Sequence, residues 1–181
     1  MLTEEKITTS KVQLDWPVTV DRAKRHLHVD ITDNDEDDYI LSLIKAVTDE
    51  AASYIGKDIA YTRNTVNMYD FSGDKVKLWE GNFESTISVV SDASVSQTVS
   101  FTFPYYNYFE LELSASVTSD PLEVKFYTGW EQENCPAAIK HAVLLRVKDY
   151  YDIQRGSMND FSLYNTMAFE RLLGPYKNTR F

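Results

Sequence analysis

The spacing of apolar residues changes twice along the chain, and this order constrains the fold more than any other feature. Between Ile40 and Ile55 apolar residues recur at intervals of three and four, which is typical of one face of an α-helix. From about residue 60 to 128 apolar and polar residues alternate, which predicts half-buried antiparallel strands. After Pro136 the helical spacing returns. The sequence therefore predicts an α+β fold in which an antiparallel β-rich middle segment interrupts a mainly helical core.

Two helices are predicted before the β-rich segment and two after it. Thr19 is a good N-cap for the first helix, and Gly56 suits the C-terminal end of the second. A last short helix is predicted near residues 165–173. Residues 1–17 show no sustained period, and we expect a polar N-terminal arm that is flexible unless another segment holds it. Residues 18–181 are predicted to form a single domain.

The charge balance excludes one broad class of function. Asp and Glu number 28 against 18 Lys and Arg, which gives a formal net charge of −10. Electrostatic binding to nucleic acid needs Lys and Arg to neutralise phosphates, so it is not expected as the main function. One cysteine excludes an internal disulfide. No segment approaches the roughly 20 apolar residues of a membrane span, and the N-terminus lacks a signal-peptide core, so we expect no membrane partner.

The acidic run before the second helix resembles part of a calcium-binding loop. Asp33, Asp35 and Asp37 have the spacing of the first three ligands of an EF-hand. Asp38 then stands where the sharp turn needs glycine, and Ile44 stands where a bidentate glutamate is needed. We interpret the run as a solvated helix N-terminus, where negative charge is favourable.

No catalytic motif is present. His26 and His28 are two positions apart and point in different directions on a helix, and His141 stands alone. Cys135 lies at a helix start without a neighbouring histidine in sequence, so a structural thiol is favoured over a nucleophile. Nucleophile-elbow and phosphate-loop patterns are missing. We expect no enzyme activity, no catalytic residue, no cofactor and no metal.

Two alternative interpretations come from the β-rich segment. Tyr105, Tyr106 and Tyr108 lie near a proline-containing turn and are predicted to form an exposed aromatic contact patch. This patch favours protein contact, with a carbohydrate- or receptor-binding module as the alternative. Glu110 and Glu112 lie on one strand face, as a small carboxylate-dependent hydrolase would need, but a polar outer face explains them without catalysis.

Seven segments, one of which includes the end of the last predicted strand, form an ordered series. They include the run P-A-A-I-K after Cys135 and the run L-L-G-P-Y from Leu172. The segments are residues 19–30, 35–50, 54–57, 126–130, 135–145, 149–155 and 172–177. In this order and spacing they resemble the head–tail connector (adaptor) proteins of tailed phages, in the gp6-like family.

The resemblance implies a structural virion protein without catalysis, cofactor or metal. Adaptors of this family form a ring of about a dozen subunits, an assembly with closed rotational symmetry, beneath the portal. The ring extends the channel through which double-stranded DNA passes without sequence-specific binding, and it provides the platform for stopper or tail-completion proteins. The implied location is the head–tail junction of the virion, with host cytoplasm during assembly.

The resemblance also implies which residues dock against the portal protein. In such adaptors the C-terminal helix and tail make this contact, which in this chain points to a docking tail at about residues 174–181 and the end of the preceding helix. The expected portal-docking residues are Arg171, Leu172, Pro175, Tyr176, Lys177, Arg180 and Phe181.

Overall fold

The computed structural model describes residues 7–78, 83–90, 96–97, 99–105, 108–154 and 163–177. Two compact units are present: residues 1–14 with 62–129, and residues 15–61 with 130–181. The elements in chain order are β1 (Ile7–Asp15), α1 (Val20–Leu27), α2 (Asp37–Ile55), β2 (Tyr61–Met68), β3 (Phe71–Leu78), β4 (Phe83–Val90), β5 (Ser96–Gln97), β6 (Val99–Tyr105), β7 (Tyr108–Ser119), β8 (Leu122–Thr128), α3 (Ala137–Gln154) and α4 (Leu163–Leu173). A 3₁₀ turn, Gly174–Tyr176, follows α4. The predicted α+β class is confirmed.

Local capping explains where the first two helices begin and end. The Oγ1 atom of Thr19 accepts a hydrogen bond from the backbone N–H of Arg22 at 3.2 Å, so the predicted N-cap of α1 is confirmed. Helix α1 ends at His28 with a φ of 59°, and α2 ends at Gly56 with a φ of 71°. Both are left-handed, a conformation that glycine adopts without steric cost.

The core of the helical unit is built from the apolar stripes of α2, α3 and α4. The predicted stripe of α2 is buried, as are the inward-facing residues of the other two helices. The fully buried members of this core are Ala23, Ile40, Ile44, Val47, Ala51, Ile55, Ile59, Ile139, Ala142, Val143, Val147 and Leu173. Among the described residues, no helix is both long and apolar enough to span a membrane.

Two antiparallel sheets form the β-rich unit. One has the strand order β1-β2-β8-β4-β5, and the other has the order β3-β7-β6. Strand β8 alternates as predicted, because Leu122, Val124 and Phe126 are buried while the residues between them are half-buried. The fully buried Asn64 donates from Nδ2 to Oγ1 of Thr128 at 2.8 Å, which joins β2 to β8.

Part of the predicted N-terminal arm forms strand β1 at one edge of the larger sheet, so another segment holds it. Ile7–Asp15 pairs with β2, and its first eight side chains are exposed. A strand with neither face buried has no reason to alternate apolar and polar residues, so its sequence lacks the two-residue period. The backbone pairing with β2, which the composition does not indicate, holds this segment.

Candidate functional site

The acidic residues between α1 and α2 surround a buried lysine. The side chain of Lys24 is fully buried and forms an ion pair with Asp37. Its Nζ atom donates to the backbone oxygen of Asp33 at 2.7 Å, and it lies 3.5 Å from the oxygens of Ile31 and Asn34. The loop between the helices, residues 30–36, is here called the acidic loop. Its oxygens therefore hold an ammonium group of the protein itself.

The three aspartates with EF-hand spacing do not converge on one point. Oδ1 of Asp33 accepts the backbone N–H of Asp35 at 3.1 Å, and Asp37 contacts Lys24. Across the described ranges of the chain, no group of three or more His, Cys, Asp or Glu residues is arranged to hold a metal ion. Sequence reasoning missed the role of Lys24; its signal is a lysine next to Ala23, on the buried side of α1.

Hydrogen bonds within the acidic loop fix its shape. Oδ1 of Asp30 accepts from both the backbone N–H and the hydroxyl of Thr32, at 2.9 and 2.8 Å. These bonds stabilise the carboxylate and lower the pKa of Asp30. Ile31, which lies between Asp30 and Thr32 in this loop, remains 47% exposed. The loop therefore displays an apolar side chain among carboxylates.

A groove between α3 and α4 lies in the same unit. It has a volume of about 430 Å³ and is lined by His141, Leu145, Met167, Ala168, Arg171 and Leu172. Met167 is 44% exposed although it is a large apolar residue. His141 and Arg171 are exposed and supply the polar positions of the lining. This set is called the α3–α4 groove below.

Basic groups gather beside the α3–α4 groove. The side-chain ring of His26 on α1 meets that of His141 edge-on, with centroids 6.5 Å apart. Burial lowers the pKa of His26, and the nearby charges of Lys148, His141 and His28 lower it further. Asp152, one helical turn after Lys148, is a half-buried acidic residue of α3. Asp149 is a second half-buried acidic residue of α3, so the basic character is confined to the described groove lining itself, where His141 and Arg171 stand without a carboxylate.

Partly buried polar contacts join α2, α3 and α4. Arg146 of α3 donates to Glu50 of α2 through Nη2 at 2.8 Å and through Nε at 3.1 Å. Tyr150 donates its hydroxyl to the same carboxylate at 2.9 Å. The guanidinium of Arg146 also lies 5.6 Å from the ring centroid of Phe169 on α4. The bidentate contact therefore joins α3 to α2, and the contact with Phe169 joins α3 to α4.

The C-terminal segment packs on the helical unit. The side-chain ring of Tyr176 meets that of Trp130 edge-on at 6.3 Å between centroids. The Nζ atom of Lys177 lies 4.6 Å from the ring centroid of Tyr54, a cation–π contact. Pro175 is exposed. Of the expected portal-docking residues, Arg180 and Phe181 lie outside the described residues, and Arg171 and Leu172 line the α3–α4 groove.

Comparison with known proteins decides the family. Residues 17–126, more than half of the chain, match the family model described as phage gp6-like head–tail connector protein. The chain belongs to this connector family. Its predicted resemblance is thereby confirmed, and the family is one of structural phage connectors, which is not an enzyme class. The comparison of this connector with curated protein sequences returns no match.

Solved structures share the fold of this connector along almost its whole length. A chain in the neck of an empty gene transfer agent particle, computed with C6 symmetry, has a TM-score of 0.66 at 16% identity. A chain of the native gene transfer agent virion has a TM-score of 0.64 at 17% identity. A chain in the native neck computed with C12 symmetry has a TM-score of 0.63 at 14% identity. Each comparison covers 96% of this connector and 97% of the other chain.

The carboxylate pair considered for hydrolysis lies opposite lysines in the connector. Glu112 of β7 forms an ion pair with Lys75 of β3 at 3.5 Å, and both side chains are about half exposed. In the same register Glu110 lies opposite Lys77. Opposite charges on neighbouring strands stabilise a sheet modestly, which gives Glu112 a structural role.

The tyrosine patch of the connector is described only in its backbone. Tyr105 pairs with Tyr108 where β6 meets β7, and Tyr106 lies outside the described residues. The backbone register places the first and last of these tyrosines opposite each other at one end of the smaller sheet. The predicted exposed contact patch stays a prediction.

Cys135 of the connector is expected to be unreactive in the folded protein. It is buried beside Pro136, and burial raises the pKa of its thiol to about 11, against smaller opposing effects of Lys140 and Arg22. At pH 8 almost no thiolate is present, so a chromogenic thiol reagent should react slowly with native protein and rapidly in denaturant. The variant Ser53→Cys, with an exposed thiol on α2, is the positive control. Stoichiometric labelling of the unmodified native chain within minutes would contradict this assignment.

Proposed function

We propose that this connector is an adaptor subunit at the head–tail junction of a tailed-phage virion or related particle. It forms a ring of about a dozen subunits, a closed cyclic assembly, beneath the portal, and it offers a platform to the stopper or tail-completion protein. The observation that carries this proposal is the family match over residues 17–126. Neck structures computed with C6 and C12 symmetry, whose chains share the fold, support the cyclic arrangement.

The net charge supports a passive role towards DNA. With 28 acidic against 18 basic residues, the subunit carries a formal net charge of −10, which repels phosphate. A ring of such subunits keeps the duplex mobile, since binding would require Lys and Arg to displace counterions from many phosphates. Double-stranded DNA therefore passes through the channel without sequence-specific contacts. Assembly takes place in the host cytoplasm.

The C-terminal segment is proposed to dock on the portal protein. Pro175 is exposed, and the packing of Tyr176 on Trp130 and of Lys177 on Tyr54 fixes the position of the segment as far as Lys177. The residues that follow, including Arg180 and Phe181, combine positive charge with an aromatic side chain. Aromatic residues and arginine are enriched at protein interfaces.

Light scattering after size-exclusion chromatography tests this function. The connector is measured alone and after mixing with the portal protein of the same particle. We expect the mixture to contain a complex with several connector copies for each portal. Two proteins that elute separately, each at its own mass, at all concentrations would overturn the proposed function.

Removing the C-terminal segment is expected to abolish portal binding while the fold is kept. Truncation after Gly174 deletes the Tyr176 and Lys177 contacts, at a cost of about 1–2 kcal/mol in the free energy of unfolding. Truncation after Lys177 keeps both contacts but removes Arg180 and Phe181, so it should weaken portal binding without this loss of stability. Copurification with the portal protein and thermal melting are measured for both. Portal binding at full strength by the shorter protein would show that the segment is not the docking element.

A further inference from the structure

We propose that the acidic loop of one connector copy binds in the α3–α4 groove of the next copy around the ring. This inference rests on the proposed function, because it assigns the surfaces through which the ring closes. It assigns Arg171 and Leu172 to the interface with a neighbouring connector, and it assigns the portal contact to the segment after Gly174.

The chemistry of the two surfaces is complementary. Ile31 is 47% exposed in the acidic loop, with the carboxylates of Asp30 and Asp35 close to it in sequence. The groove has an apolar floor and the basic residues His141 and Arg171 in its lining. Its volume of about 430 Å³ accommodates a branched aliphatic side chain. An apolar anchor bordered by matched charges is the usual anatomy of a protein interface.

The two surfaces lie on different sides of α1, as a cyclic assembly requires. Lys24 points to the acidic loop, and His26 contacts His141 at the groove. Two positions on a helix differ by about 200° of rotation, so these side chains leave α1 in nearly opposite directions. A ring needs a head-to-tail interface in which two different faces of one subunit match. The loop and the groove satisfy this condition within the helical unit.

The acidic loop is ordered before it meets a partner. The ammonium group of Lys24 binds the backbone oxygen of Asp33 from inside, and Asp30 accepts two hydrogen bonds from Thr32. A loop that is already fixed loses little conformational entropy on binding. The buried lysine therefore acts as a positioning residue for Ile31.

Charge exchange tests the pairing. Each of the single variants Asp35→Lys and Arg171→Glu places like charges across the interface. Each is expected to raise about tenfold the connector concentration at which assembly on the portal is half complete. The double variant carries opposite charges again, so assembly should recover. Asp74→Lys, an exposed change of the same charge on β3, is the matched control and should have no effect. Single variants that assemble normally, or a double variant worse than both, would overturn the pairing.

Cysteine crosslinking tests proximity directly. The variant with Ile31→Cys and Met167→Cys in one chain should give a ladder of covalent connector oligomers when oxidised on the portal, since native Cys135 is buried. The control pair Val12→Cys with Met167→Cys uses an exposed residue of similar accessibility, 43%, and should give no ladder. Crosslinks from position 167 to the portal protein, or protection of the groove by added DNA, would identify another occupant and overturn the inference.

The two proposals fail in different ways. If subunit rings form on the portal but neither charge exchange nor crosslinking responds, the loop–groove pairing is wrong and the adaptor function stands. If the unaltered connector never joins the portal, the adaptor function is wrong and the pairing falls with it.

Discussion

Replacing Lys24 with methionine is expected to lower the free energy of unfolding by about 3 kcal/mol. Methionine keeps the side-chain length but removes the ammonium group, so Asp37 loses its ion-pair partner and the oxygen of Asp33 loses its donor. Asp37 remains 38% exposed and recovers part of its hydration, which keeps the loss below that of a fully buried pair. The acidic loop should also lose its fixed shape.

Urea denaturation followed by circular dichroism at 222 nm measures this effect, because that signal reports the helices. Lys45→Met is the matched control: Lys45 is exposed on α2 and lies 5.4 Å from the ring centroid of Trp16. We expect the control to change the free energy of unfolding by no more than about 1 kcal/mol. Equal midpoints for the Lys24 variant and the unaltered chain would show that the buried ammonium contributes nothing to stability.

Replacing Ile44 with aspartate is expected to unfold the helical unit. Ile44 is fully buried at the centre of the α2 stripe. Its substitution removes a large apolar side chain and places a carboxylate where no cation has been provided, at a combined cost above about 5 kcal/mol. Natural domains are stable by only about 5–15 kcal/mol, so little folded protein should remain.

Ile44→Val is the matched variant for this position. It removes one methylene group without adding charge, and it should cost only about 1 kcal/mol. Circular dichroism at 222 nm and thermal melting distinguish the two outcomes. A normal melting curve for the aspartate variant would mean that α2 presents a different face to the core.

Features set by neighbouring residues could be predicted from the sequence. The stripe from Ile40 to Ile55 identified α2 because a 3.6-residue repeat brings its apolar positions onto one face. Thr19 and Gly56 marked helix ends, since capping depends on residues within one turn. The alternation in β8 revealed a half-buried strand. The family resemblance rested on the same local patterns, repeated in a fixed order.

Contacts between distant segments were decided only by the tertiary structure. Strand β1 has no buried face and therefore no period, and only its pairing with β2 makes it a strand. Glu50 and Arg146 are 96 positions apart, so their contact depends on how α2 and α3 pack. The α3–α4 groove likewise exists only once both helices are in place.

The sequence by itself determined the α+β order, the main helices and the connector family. The tertiary structure decided that the ammonium group of Lys24 is bound by the oxygens of the acidic loop and that Ile31 of this loop is left exposed. The physical reason is range: backbone hydrogen bonding and helical periodicity act over a few residues and leave a mark in the sequence. Burial of a single charge, or exposure of a single apolar side chain, depends on elements that meet only in the folded chain.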